Sequence, residues 1–148
     1  MTRLRRLVYD TNVIISAVLT PEGFCDQLLQ LVVCRQVSLI VSLQVLDEYE
    51  RVLTRDSVAR LHQWTPAQVS ALVNTIAEHS AIVEPLETPE VIASDPSDNI
   101  FLATAETGRA EFIVSGDRHL LKIQSYQGIE VLRPHEMLEF LRVESTNS

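Results

Sequence analysis

Short, largely apolar runs recur along the chain, and segments with helical spacing alternate with them. We assign strands to residues 7–9, 39–41, 81–83, 112–114 and 129–132. Strands of this kind are buried on both faces, and their alternation with helices is typical of parallel β-α units. The pattern therefore predicts an α/β fold built around a mainly parallel central sheet.

The composition is that of one compact domain. The chain has 148 residues, 46% of them hydrophobic, which is enough to bury a full core. We expect a single domain over residues 1–142, followed by a polar tail at 143–148. Cys25 and Cys34 fit neither a metal knuckle nor a disulfide framework, so we expect both to be reduced and buried.

No stretch of the chain comes near the roughly 20 consecutive apolar residues that a membrane-spanning helix needs. The apolar part of the N-terminus is also too short for a secretory signal. The sequence thus predicts a cytoplasmic protein that does not cross a membrane.

Four acidic residues stand where a strand-like run passes into a turn or a helix. They are Asp10, Glu48, Asp98 and Asp117. Ligands of open α/β sheets bind beyond the carboxyl ends of the parallel strands, so acids placed there by separate segments can converge. Converged carboxylates repel one another unless a hard cation neutralises them, and Mg²⁺ or Mn²⁺ with oxygen ligands is the usual solution. The pattern favours a metal-dependent enzyme.

Local structure offers an alternative explanation for three of these acids. Glu48 lies roughly 40° outside the apolar stripe of the helix predicted over 43–53, which is compatible with a site or with solvent. Asp98 can serve as the third residue of a helix whose cap is Asp95. Asp117 can cap the short helix predicted over 118–123. Position alone leaves both interpretations open.

The net charge of -8 disfavours a protein that holds nucleic acid by its overall field. Two divalent ions bound by four of the acids would reduce that charge to -4, which weakens the objection. Candidates for binding a substrate phosphate are Arg118, beside Asp117, and Arg51 or Arg55 on the helix that carries Glu48. Each can equally be a surface ion-pair partner.

The motifs, taken together, resemble the PIN-domain family, most closely its prokaryotic branch of toxins from toxin–antitoxin systems. The likeness runs in order from about residue 7 to 141. It rests on LVYDTNV at 7–13, LDEYERVL at 46–53, DPSDN at 95–99 and IVSGDRHLL at 113–121.

This resemblance implies a Rossmann-like three-layer α/β/α sandwich and an Mg²⁺- or Mn²⁺-dependent ribonuclease that cleaves RNA. The family's catalytic, metal-binding acids would be Asp10, Glu48, Asp98 and Asp117, and its accompanying polar residues would be Asn12 and Ser115. We expect the first and third acids to hold the principal metal, the other two to complete the site, and the polar pair to orient ligands or water. The low basic content is a departure from what RNA binding usually requires.

The segment after Asp10 is more apolar than one buried helix face requires. Residues 13–15 and 17–19 are all hydrophobic except for a small alanine. We expect this surplus to pack a homodimer or to receive the helix of a cognate antitoxin protein. The alternative is a helix that is buried on all sides.

Three other functions were weighed. A haloacid-dehalogenase-type phosphatase needs a second acid where Asn12 stands and a lysine that Lys122 cannot easily provide. A receiver-like signalling domain needs an early acidic pair and a lysine after a late strand, and the sequence has neither. A non-catalytic PIN-like module that binds RNA or protein would have lost one of the four acids, and all four are present.

Overall fold

A computed structural model of the chain describes residues 3–85 and 98–147. Within these residues, six strands form one sheet. They are β1 (Arg6–Tyr9), β2 (Ser38–Val41), β3 (Ser80–Ile82), β4 (Phe112–Val114), β5 (Ser125–Tyr126) and β6 (Ile129–Leu132). Their spatial order is β3-β2-β1-β4-β6-β5, and every neighbouring pair is parallel except β5 with β6.

Helices pack on the sheet to complete a three-layer α/β/α sandwich, as the sequence predicts. They are α1 (Thr11–Leu19), α2 (Phe24–Val33), α3 (Leu43–Leu53), α4 (Asp56–His62), α5 (Pro66–Glu78), α6 (Asn99–Thr107), α7 (Arg118–Ile123) and α8 (Pro134–Thr146). In the described part of the chain, no helix is long and apolar enough to span a bilayer.

The sheet has a topological switch point between its two central strands. From β1 the chain builds outward through β2 and β3, and it then crosses to β4 on the other side. The register joins Tyr9 to Val114, so the carboxyl ends of β1 and β4 lie side by side. In open α/β sheets this crevice is where ligands bind.

Two buried tyrosines dock α2 and α3 against the end of β1. The Tyr49 hydroxyl donates to the Tyr9 carbonyl at 2.6 Å, and the Tyr9 hydroxyl donates to the Leu28 carbonyl at 2.9 Å. Burial, followed by the nearby charge of Asp10, raises the pKa of Tyr49 well above its ordinary value. Because Tyr49 directly follows Glu48, this contact fixes the helix that carries Glu48 beside the strand that ends at Asp10.

A second buried contact ties α3 to α6. The Ser42 hydroxyl caps α3 by accepting from the Val45 N–H at 3.2 Å, and it is also hydrogen-bonded to the Thr104 hydroxyl at 2.8 Å. Burying two hydroxyls is favourable only because each satisfies the other. The helix that begins beside Asp98 is thereby held against the helix that carries Glu48.

Four sequence-based expectations need correction. Helix α4 was not predicted, because it has no buried residue and hence no apolar stripe. The two-residue strand β5 is too short for a periodic signal. The last helix was predicted to fray into a polar tail from residue 143, but it continues to Thr146 because Arg5 contacts Glu144. Cys34 is exposed rather than buried, and Cys25 is half-buried.

Gly108 and Gly116 are a matched pair for testing the packing of α6 on the sheet. A Cβ at Gly108 would clash with Cγ2 of Ile40, which is buried on β2, whereas a Cβ at Gly116 would meet nothing within 4 Å. Gly116 also has no positive φ, so its backbone conformation does not require glycine.

We expect Gly108→Ala to lower the free energy of unfolding by about 1–3 kcal/mol, because a buried β-branched side chain must move. Gly116→Ala should leave it unchanged or raise it by up to about 1 kcal/mol. Urea unfolding of both variants tests this packing, and equal stability of the two would contradict it.

Candidate active site

The ends of the two central strands are fixed by main-chain hydrogen bonds that continue the sheet. The Asp10 N–H donates to the Val114 carbonyl at 3.0 Å, and the Ser115 N–H donates to the Leu132 carbonyl at 3.0 Å. The side chains of Asp10 and Ser115 are therefore carried by backbone that is hydrogen-bonded to the neighbouring strands.

Buried polarity is concentrated at this end of the sheet. Seven polar or charged residues are buried in the described part of the chain: Asp10, Thr11, Ser42, Asp98, Asn99, Thr104 and Ser115. Three of them follow the two central strands, Asp98 and Asn99 lie at the start of α6, and Ser42, which follows β2, bonds to Thr104 in α6. Burial of polar groups is costly and needs compensation, so their collection at the switch point indicates a functional site.

Ser115 links two of the predicted acids. Its hydroxyl donates to Oδ2 of Asp10 at 2.8 Å and accepts from the Asp117 N–H at 2.9 Å. Oδ1 of Asp117 caps α7 by accepting from the His119 N–H at 2.9 Å. Asp117 can therefore cap α7 and also belong to the site, because the cap uses only one of its two carboxylate oxygens.

Asp10 is a buried carboxylate that is exposed to the negative charges of two other predicted acids. The pKa of Asp10 is raised to about 6, chiefly by burial. Hydrogen bonds from Ser115 and Thr11 oppose this rise, and the negative charges of Asp117 and Glu48 add to it. The structure therefore brings the fields of three predicted acids together at one buried carboxylate.

Glu48 is half-buried and bound by Arg51. The Arg51 guanidinium contacts both carboxylate oxygens of Glu48, at 2.9 and 2.8 Å. The Arg51 side chain is 54% exposed, but its guanidinium is paired with Glu48. In this conformation Arg51 is therefore an ion-pair partner of Glu48.

The remaining predicted residues lie at the same end of the sheet. Asp98 is 3% exposed and directly precedes α6, which runs back toward the start of β4. Asn12, in the first turn of α1, and Arg118, the first residue of α7, are both exposed. The predicted cap Asp95 lies outside the described residues.

Comparison with known proteins agrees with this geometry. A family model described as a PIN domain matches residues 6–119 of the chain. The chain belongs to the PIN-domain family. PIN domains are generally nucleases that use divalent metal ions.

The fold of this PIN domain also matches a solved structure. The crystal structure of PAE2754 from Pyrobaculum aerophilum superposes with a TM-score of 0.62 over 95% of this chain and 90% of that one. Sequence identity is 18%, so the likeness concerns the fold. No curated protein matches the sequence.

Two residues of the PIN domain that the sequence analysis missed belong to this edge. The Thr11 hydroxyl is buried and has no hydrogen-bond partner within residues 3–85 and 98–147. Arg133 follows β6, whose Leu132 is in register with Val114, so it stands one strand away from Ser115. The strand-end rule that identified the acids would have found both residues if it had been applied to every polar residue.

The donor set fits a hard divalent cation in its chemistry. Asp10 is a buried carboxylate repelled by its neighbours, and the unpartnered Thr11 hydroxyl beside it is a further oxygen donor. Among the described residues, however, no three His, Cys, Asp or Glu side chains are grouped closely enough to hold an ion.

The raised pKa of Asp10 predicts how stability depends on pH without metal. The folded protein holds this proton more tightly than the unfolded chain, so the contribution of Asp10 to stability is greatest below its ordinary pKa of 3.8 and is lost as pH rises through about 6.

Asp10→Asn lacks this loss, so we expect it to be more stable than the wild type at pH 7.5 by up to about 3 kcal/mol. The two proteins should approach each other at pH 4. Thermal and urea unfolding in EDTA at both pH values measure this difference, and a difference that does not change with pH would contradict it.

Proposed function

We propose that this PIN domain is a metal-dependent endoribonuclease that hydrolyses RNA phosphodiester bonds with Mg²⁺ or Mn²⁺. The observation that supports this most is the buried, like-charged cluster around Asp10 at the switch point of the sheet. Because PIN domains are generally nucleases that use divalent metal ions, such a cluster would serve to bind the ion.

Asp10, Glu48, Asp98 and Asp117 are the residues that would hold the ion. The Ser115 hydroxyl holds Oδ2 of Asp10 in place by a hydrogen bond. Asn12 and Thr11 flank the ion site and are suited to orient water or substrate. A bound divalent ion would supply an activated water and would stabilise charge on the nonbridging phosphate oxygens.

Two arginines are suited to hold the RNA backbone. Arg118 begins α7 directly after Asp117, and Arg133 stands at the end of β6. The Arg133 main chain is fixed because its N–H donates to Glu136 Oε1 at 2.8 Å, while its exposed guanidinium lies 3.7 Å from the same oxygen. A phosphate can replace such a weak contact without breaking the helix.

The first test of the proposal is Asp10→Asn, with Asp47→Asn as its control. Asp47 neighbours Glu48 but is exposed to solvent, so both substitutions remove one acid and only one acts on the site. We expect Asp10→Asn to reduce Mn²⁺-dependent cleavage of a labelled single-stranded RNA at least a hundredfold, on the order expected for a lost metal ligand.

Asp47→Asn should retain full activity. Undiminished cleavage by Asp10→Asn would refute the proposal, and so would equal loss in both variants with unchanged circular dichroism. Release of inorganic phosphate from a small phosphate ester, without RNA cleavage, would indicate a phosphatase instead.

The second test compares Arg133→Ala with Arg142→Ala. Arg133 directly precedes α8 and Arg142 lies within it, and each forms an i,i+3 pair with a glutamate of that helix. Arg142, however, is near the helix end that approaches Arg5 and Arg3. Loss of one phosphate contact should raise the KM for RNA about fivefold in Arg133→Ala, with a shallower salt dependence, and leave Arg142→Ala unchanged. Identical KM values would remove Arg133 from the RNA interface.

We further propose that the protein is the toxin of a type II toxin–antitoxin pair, acts in the cytoplasm and forms a homodimer. The outer side of α1 supports an additional contact, because Ile15 and Val18 are only partly buried and Leu19 is 36% exposed. The helix is therefore not buried on all sides. Light scattering after size exclusion tests the dimer, which a strict monomer would exclude.

The alternative is a non-catalytic module that binds RNA or protein through the same edge. Binding of RNA with no cleavage at saturating Mn²⁺ would favour it. The presence of all four acids supports the enzyme over this module.

A further inference from the structure

Both oxygens of Glu48 are occupied by a residue of the same helix. Nη2 of Arg51 lies 2.9 Å from Oε1 and 2.8 Å from Oε2, and Nε lies 3.3 Å from Oε2. A planar guanidinium is suited to this bidentate contact, which engages both of the oxygens through which Glu48 would bind a metal ion.

A second ion pair in the protein shows what is unusual about this one. Glu139 and Arg142 have the same i,i+3 spacing and nearly the same contacts, at 2.7, 2.8 and 3.2 Å. The Glu139 side chain is 58% exposed, however, while that of Glu48 is 17% exposed. Water can replace Arg142 at Glu139 far more easily than it can replace Arg51 at Glu48.

The contact between Arg51 and Glu48 also concerns the site, because the charge of Glu48 acts on Asp10. That charge raises the pKa of Asp10, so the two carboxylates share one field, and the Tyr49 hydroxyl holds α3 against the main chain of Tyr9. The helix cannot move away to relieve the repulsion. Arg51 is therefore the group that compensates Glu48 when no cation is bound.

We infer that Arg51 competes with the divalent cation for the Glu48 carboxylate, so that the guanidinium must leave before this acid can ligate the ion. Arg51 is in this sense a positioning residue, and the inference rests on the proposed function. Removing Arg51 should tighten metal binding, whereas a merely structural ion pair would leave metal affinity unchanged. The competition also makes occupancy of the site require a higher metal concentration than the acids alone would need.

The test is a Mn²⁺ titration of the full chain without RNA, with free Mn²⁺ followed by electron paramagnetic resonance. We expect Arg51→Ala to bind Mn²⁺ about fivefold more tightly than the wild type, the upper end for a single ion pair. The matched control Arg142→Ala should bind as the wild type does. Arg51→Lys keeps the charge but loses the bidentate fork, and its affinity should lie between those of the wild type and Arg51→Ala.

A double-mutant cycle with Glu48→Gln separates specific competition from a general change of field. In that background, where affinity should be lower, Arg51→Ala should change it less than twofold, because the group for which the two cations compete is gone. An equal gain in both backgrounds would overturn the inference, as would Arg51→Ala binding no more tightly than Arg142→Ala. Absence of Mn²⁺ binding by the wild type would instead refute the proposed function itself.

Discussion

Folding places the carboxylate of Asp10 where it is both desolvated and repelled, and the rest of the structure compensates for that placement. The side chain is 4% exposed, yet it faces the charges of Asp117 and Glu48. A hydrogen bond from Ser115 and the rigid ends of β1 and β4 keep it there. Such an arrangement lowers the stability of the metal-free protein. A bound cation would offset the repulsion between the carboxylates and so stabilise the folded state.

Charged side chains are arranged differently at the two edges of the sheet. At the amino edge, Arg5 pairs with Glu111 and Glu144 and stacks over Phe140, so the charges there are matched. The hydrogen bond from Arg5 lowers the pKa of Glu144, which is the direction of a stabilising ion pair. At the carboxyl edge, the charges of Asp117 and Glu48 act on the buried Asp10, and Arg51 pairs with Glu48. Such a like-charged group is typical of a functional site.

Much of this could be predicted from the sequence, because the relevant signals are local. The strands β4 and β6 and the helices α3 and α7 agree with their predicted positions. The convergence of strand ends at one edge follows from parallel topology alone. Helix α4 and strand β5 escaped prediction because neither has enough buried residues to make a period.

The environment of each acid could not be predicted in the same way, because it depends on contacts between distant segments. Nothing local indicates that Ser115 would bond to Asp10 across 105 residues, or that Tyr49 would donate to Tyr9. The i,i+3 spacing allowed an Arg51–Glu48 pair, but only the packing of α3 shows that Glu48 is half-buried within it. Arg133 gains its importance solely from the register of β6 with β4.

A crystal soaked in Mn²⁺ would show directly whether the distant acids form one cation site. We expect an anomalous peak in the crevice beyond β1 and β4, bonded to Asp10 and to at least two further carboxylates among Glu48, Asp98 and Asp117. Well-ordered acids with no peak at saturating Mn²⁺, or a peak bonded elsewhere, would contradict it.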